Sequence, residues 1–177
     1  MPFAVTHLIG TGIIVESTLK KLQQKYPKLK KQLDRKSILI GALGGIFPDI
    51  DFFIYGLLSI FGIHSEILMH GGITHTLLFG LIFIIPGMIV WKYKNKLYGN
   101  YLIIFGIGIL IHVAFDYILG GGNAYGIMWF YPFIKQGYFL HLLQKIPLPH
   151  VFTGLDAIIL YVWSTKQFLQ KKLLSFI

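Results

Sequence analysis

Cysteine is absent from the 177 residues, which excludes disulfides, thiolate metal ligands and thiol catalysis. Acids are scarce as well: seven Asp or Glu stand against sixteen Lys or Arg, a formal net charge of +9. Charged residues make up 13% of the chain, about half the usual share near 25%. What takes their place is apolar, 55% of the residues, with twenty glycines besides. A water-soluble globule of this size cannot hide so much apolar surface, and a disordered tail is poor in these residues. The composition therefore predicts a small integral membrane protein, and the length predicts one domain over residues 1–177.

A hydrocarbon core about 30 Å thick takes around 20 mainly apolar residues as a helix. Segments 37–63, 73–91 and 101–119 meet or approach that length, and 151–169 does so while carrying Asp156 and Lys166. Segment 2–15 is apolar but short, a tilted short span or a half-inserted helix. No basic residue precedes it and no small-x-small site follows, so a cleaved signal peptide is not expected. The expected fold is all-α: an integral membrane helical bundle of four long spans plus a short N-terminal apolar helix. Small residues at Gly41, Gly45, Gly106 and Gly108 are read as helix-packing positions, where backbones approach closely.

The basic residues cluster. Eight lie between Lys20 and Lys36 with Asp34 as the lone acid among them, Lys92, Lys94 and Lys96 follow the second apolar segment, and Lys166, Lys171 and Lys172 close the chain. The positive-inside rule puts 16–36, 92–100 and the C-terminus in the cytoplasm, with 64–72 and 120–150 outside. Segment 18–36 reads as a surface-lying or cytoplasmic helix interrupted by Pro27. Such a charge balance beside spans is a juxtamembrane anchor on anionic lipid, and nucleic acid is not an expected partner.

Against this background the polar residues inside apolar segments stand out, because an acid near the bilayer centre costs about 2.5–3.5 kcal/mol on insertion scales. Asp49 and Asp51 interrupt the first segment beside Pro48, His112 and Asp116 lie near the end of the third, His70 and His75 precede the second, and His7 lies in the N-terminal one. No Lys or Arg occurs from 37 to 91, so a bound cation is the simplest neutraliser of the Asp49 and Asp51 carboxylates. His112 and Asp116, four apart, share one helix face. His70 and His75, five apart, fit a Gly71-Gly72 loop leading to a helix that starts near His75. Imidazole with carboxylate and no sulfur suits zinc first, with manganese and iron(II) also compatible. Asp49 also has a plain reading as a helix cap. Asp156 could pair with Lys135 or Lys145 or support the site. His64, His141, His150 and Glu66 are read as ordinary structural or solvated groups.

Taken together, Thr6-His7, Gly44-Gly45-Ile46-Phe47-Pro48-Asp49-Ile50-Asp51, His70-Gly71-Gly72-Ile73-Thr74-His75-Thr76, His112-Val113-Ala114-Phe115-Asp116 and Trp129-Phe130-Tyr131-Pro132 resemble a known family. It is that of the small prokaryotic membrane-bound metal-dependent hydrolases, which includes LexA-binding inner-membrane-associated hydrolases. The resemblance covers nearly the whole chain, with departures at Gly71 and Thr76, where the family commonly has Arg and Ser. The order of these motifs is also similar, more weakly, to zinc-dependent phospholipase C. That likeness implies one metal on Asp49, His75, His112 and Asp116, a second on His7 with Asp116 bridging, and Asp51 and His70 as catalytic proton-handling or supporting groups.

The function implied is hydrolysis by metal-activated water of a lipid or lipid-linked (phospho)ester, with the bilayer as partner and a lipid-derived substrate. Two other readings are a metal or proton carrier, for which a homodimer would supply the symmetry one chain lacks, and a regulatory anchor that binds a cytoplasmic partner through 18–36.

Overall fold

The computed structural model describes residues 4–31, 33–64, 70–120, 126–147 and 150–169. Glu66, Lys171 and Lys172 lie outside them, as do parts of loops 64–72 and 120–150. The described residues form six α-helices: α1 (Thr11–Lys25), α2 (Arg35–Gly44), α3 (Ile50–Ile60), α4 (Leu77–Tyr93), α5 (Lys96–Leu119) and α6 (Val151–Leu169). They contain no strand, only an isolated bridge between Ile127 and Tyr138.

Local chemistry sets three of the six helix starts. Asp34 opens α2 with a capping box: its carboxylate accepts from the Ser37 amide at 3.0 Å, and the Asp34 amide donates to Ser37 Oγ at 3.2 Å. Burial raises the Asp34 carboxyl, but these bonds and one from the Tyr101 hydroxyl at 3.0 Å outweigh it and hold the group below its ordinary value. Thr76 caps α4 through the Phe79 amide at 3.2 Å, and Asn95 caps α5 through the Leu97 amide at 2.9 Å.

The span pattern differs from the expected one. Lys96–Leu119 is long and apolar enough to cross a membrane, and Arg35–Gly44 with Phe47–Ile60 makes at most one further, broken span, bent by 41°. The four long spans thus reduce to one or two. In the first segment the Gly44-Gly45 pair and Pro48 break the helix. In the second, the 3₁₀ turn Ile73–His75 and the Thr76 cap delay α4, leaving 17 residues. In α6, Asp156 and Lys166 dilute the apolar character of 19 residues. The N-terminal helix also departs from expectation. A π-helical turn, Thr6–Gly10, runs straight into α1, so the apolar opening and the first lysines form one element. It stops at Tyr26, and Pro27–Lys31 forms a 3₁₀ turn in place of a helix to 36.

The interior is inverted relative to a soluble protein. Buried polar groups such as Thr6, His7, Thr11, Asp51, His75 and Asp116 outnumber buried aliphatic ones, while Phe53 is 73% and Ile60 78% exposed. Polar inside and apolar outside is the arrangement expected where lipid is the solvent.

Glycine brings α2 against α5. A Cβ on Gly108 would stand 2.2 Å from the Gly41 carbonyl oxygen, and one on Gly44 would stand 2.3 Å from that of Phe105. The two backbones touch with no side chain between them. That contact fixes the height of Gly45, where α2 ends, against the His112 turn of α5.

Candidate metal centre

Four short pieces of chain converge on the C-terminal half of α5. The Phe47–Asp49 3₁₀ turn delivers Asp49, and α3 delivers Asp51 from its first turn. The Ile73–His75 turn delivers His75, and the π turn at Thr6–Gly10 delivers His7. Asp49 occupies the cap position of α3 but its side chain accepts no capping bond, so the carboxylate is free to face the cluster. Asp156 pairs with neither Lys135 nor Lys145: it accepts from the Thr6 amide at 2.8 Å and from the Thr6 hydroxyl, pinning the turn that carries His7.

At the centre, four atoms face one another. His75 Nε2 and His112 Nε2 are 3.1 Å apart, and Asp116 Oδ2 lies 3.4 Å from the first and 3.3 Å from the second. Asp49 Oδ1 lies 3.7 Å and 3.6 Å from the same two nitrogens. A tetrahedral shell with ligand distances of about 2.0–2.1 Å has edges of about 3.3–3.4 Å, and these five spacings lie around that length, so the group could hold a metal ion.

The outer hydrogen bonds show how the four atoms could hold a cation. The Gly45 carbonyl, 2.8 Å from His112 Nδ1, can only accept, so His112 carries its proton on Nδ1 and presents a bare lone pair at Nε2. Thr74 Oγ1 donates to Asp51 Oδ2 at 2.6 Å. It then accepts from His75 Nδ1–H at 2.9 Å, with Asp51 Oδ2 at 3.2 Å as the alternative acceptor. His75 Nε2 is therefore a second bare lone pair. Asp116 Oδ2 is buried and no protein group donates a hydrogen bond to it. With both imidazoles neutral, four acceptors meet and no proton lies between them, a costly arrangement without a positive ion. Carboxylate or carbonyl on the far nitrogen of each histidine is the support that metal-ligating imidazoles ordinarily have.

The remaining candidates sit around this tetrad. His7 Nε2 lies 3.2 Å from Asp116 Oδ1, and its ring stacks on His112 with centroids 3.9 Å apart. His7, His112 and Asp116 have ligand atoms within 4.8 Å of one another, as do Asp49, His70 and His75. Buried His7 Nδ1 has no partner. His70 Nδ1 donates to Asp51 Oδ1 at 2.9 Å, which leaves its buried Nε2 unpartnered. Asp51 thus holds His70, His75 and Thr74 together and is turned away from the tetrad. Side chains of His7, Asp51, His75, His112 and Asp116 are at most 2% exposed, whereas Asp49 is 29% and His70 15% exposed. Among the described residues, the centre is open on the Asp49–His70 side.

A family model described as "YdjM inner membrane protein" matches residues 1–176. The chain belongs to that family. No curated protein and no solved structure matches it. Membership in the YdjM inner membrane proteins agrees with the inverted interior and with α5 as a span. It assigns neither hydrolysis nor a phospholipase kinship.

The seven residues singled out by sequence, His7, Asp49, Asp51, His70, His75, His112 and Asp116, all fall in this one cluster. His64 is exposed beside Tyr55, His150 is exposed, and His141 is buried against Phe139, all outside the cluster. Three supporting groups were not foreseen: the Gly45 carbonyl, Thr74 and Thr6. Thr74 and Thr6 each directly precede a histidine of the cluster, His75 and His7, which is the signal the sequence held for them. Gly71, next to His70, has a φ of +82°, which favours glycine there.

Proposed function

We propose that this protein is a membrane-bound metal-dependent hydrolase of lipid or lipid-linked (phospho)esters. The observation that carries the reading is the meeting of four lone-pair atoms, from Asp49, His75, His112 and Asp116, at tetrahedral edge lengths inside an apolar bundle. When bound there, a divalent cation, zinc by this donor set, lowers the pKa of water from about 15.7 to near 7 and polarises the oxygen of the bond to be cleaved.

The protein's own groups supply the proton handling. His70, on the open side, accepts a proton at Nε2, because Nδ1 is committed to Asp51. The Asp51 carboxylate then stabilises the imidazolium, and the same proton is available for a leaving group. Asp51 also keeps His75 in the tautomer that turns Nε2 inward. Exposed Phe52, whose ring lies 6.3 Å from that of His70, makes the approach apolar, which favours a substrate that partitions into lipid. Exposure on one side among the described residues, with His7, His112 and Asp116 fully buried on the other, supports a resident cofactor more than a conducted ion. His7, with Asp116 between it and the tetrad, is the place for a second ion.

Elemental analysis of the detergent-purified protein tests the metal. One or two zinc ions per chain are expected, and none in His112→Ala. Phospholipid and lipid-phosphoester hydrolysis, assayed with and without chelator, tests the chemistry. Bound metal without chelator-sensitive turnover on any such lipid defeats the hydrolase reading, and absence of metal from the wild type defeats the site itself.

A further inference from the structure

A second feature lies away from the metal centre. A groove of about 320 Å³ runs between α1 and α5, and none of the metal-centre residues lines it. Ile14, Thr18 and Leu22 form its α1 wall, and Leu29 and Leu33 close it beyond the Pro27 turn. Ile104, Ile107 and Ile111 form the α5 wall, with Trp91 at one end. Thr18 and Asn100 are the only polar side chains in a lining of aliphatic groups. Such a lining offers a ligand almost no directed hydrogen bond, so its occupant is hydrocarbon.

Length and charge narrow the occupant further. From Asn100 to Ile111 the groove follows α5 for about 16 Å. That is close to half of a hydrocarbon core about 30 Å thick, the depth of one leaflet. Lys96 lies over the Trp91 ring at 5.4 Å, and exposed Lys21, Lys28 and Lys30 are the sequence neighbours of the lining residues Leu22 and Leu29. The acids nearby are already engaged, Glu16 by Lys20 at 2.5 Å and Asp34 by Ser37 and Tyr101. An apolar trench one leaflet deep, with exposed lysines next to its lining residues at the Trp91 end, matches an acyl chain that carries a negative headgroup.

We infer that the α1–α5 groove is a binding site for one acyl chain of an anionic phospholipid, whose headgroup rests on Lys21, Lys28 and Lys30. The site is independent of the hydrolase reading. It gives the 3₁₀ turn at Pro27–Lys31 a part in the site: Leu29 and Leu33 line the groove while exposed Lys28 and Lys30, on either side of Leu29, are free to meet the headgroup.

Trp91 provides the probe. In a Trp129→Phe, Trp163→Phe background, its fluorescence is followed in mixed micelles containing brominated phosphatidylglycerol or brominated phosphatidylcholine. Half-quenching by the anionic lipid is expected at a mole fraction about five-fold lower or less. The exposed triple variant Lys21→Gln, Lys28→Gln, Lys30→Gln is expected to equalise the two lipids with helical circular dichroism unchanged. Thr18→Phe with Ile107→Phe, which fills the groove, is expected to weaken quenching by both. Equal quenching by the two lipids in the parent protein means ordinary annular contact and overturns the inference, as does a preference that survives loss of the three lysines.

Discussion

Asp51 shows how much one side chain can determine without touching the ion. Both of its oxygens are committed, one to His70 and the other to Thr74 and His75, so its charge is spent on aiming two imidazoles. Asn at this position keeps the shape but replaces one acceptor oxygen with an NH₂ donor, which sets it against one of its present donors. Asp51→Asn is accordingly expected to weaken metal affinity about 10–100-fold, the usual cost of losing an outer partner of a ligating histidine. Asp116→Ala, which removes a carboxylate facing His7, His75 and His112 at once, is expected to abolish stoichiometric binding. Competition against a calibrated chelator measures both. Equal, small losses in the two variants would show that Asp51 and Asp116 do not play different parts.

Among the elements, the contact between α2 and α5 matters most, because Gly45 and His112 are registered by it. Gly108→Ala sets a methyl group 2.2 Å from the Gly41 carbonyl oxygen, and backbone cannot move aside as a side-chain tip can. A loss of about 1–3 kcal/mol of stability is expected, typical of overpacking, together with reduced metal occupancy as the Gly45 carbonyl leaves His112 Nδ1. Gly56→Ala, which meets nothing within 4 Å, is the control. Thermal unfolding in detergent, with metal content read on the same samples, separates the two. How legible each element was follows from the range of its causes. The four-residue step from His112 to Asp116 and the break at Pro48-Asp49 are local, and both could be read directly. The shortening of the spans was not, because hydropathy counts apolar residues and ignores where Gly44-Gly45 or the Thr76 cap interrupts the helical hydrogen bonds. Nor could the bond from Thr6 to Asp156 be foreseen, since it joins residues 150 positions apart and neither carries a spacing that signals the other.

Across the whole molecule, charge and site occupy opposite ends. Lys92, Lys94 and Lys96 gather at the turn into α5, whereas His112 and Asp116 come about 24 and 30 Å further along that helix. A helix of 24 residues spans about 36 Å, so a membrane crossed by α5 has the lysines at one interface and the metal centre close to the other. The positive-inside rule then predicts the lysine end in the cytoplasm and the Asp49–His70 side toward the outer face. The absence of cysteine makes this simple to test, because a single introduced thiol is the only one in the chain. Lys94 and His64 are both exposed, one at the α4–α5 turn and the other beyond the end of α3. In intact spheroplasts a membrane-impermeant maleimide is expected to label His64→Cys at once and Lys94→Cys only after permeabilisation. The reverse pattern would place the centre in the cytoplasmic half, so that any ester it cleaves would come from the inner leaflet. Equal labelling of both before permeabilisation would mean that α5 does not cross the membrane, and the separation of charge and site along it would then have to be explained within one face of the bilayer.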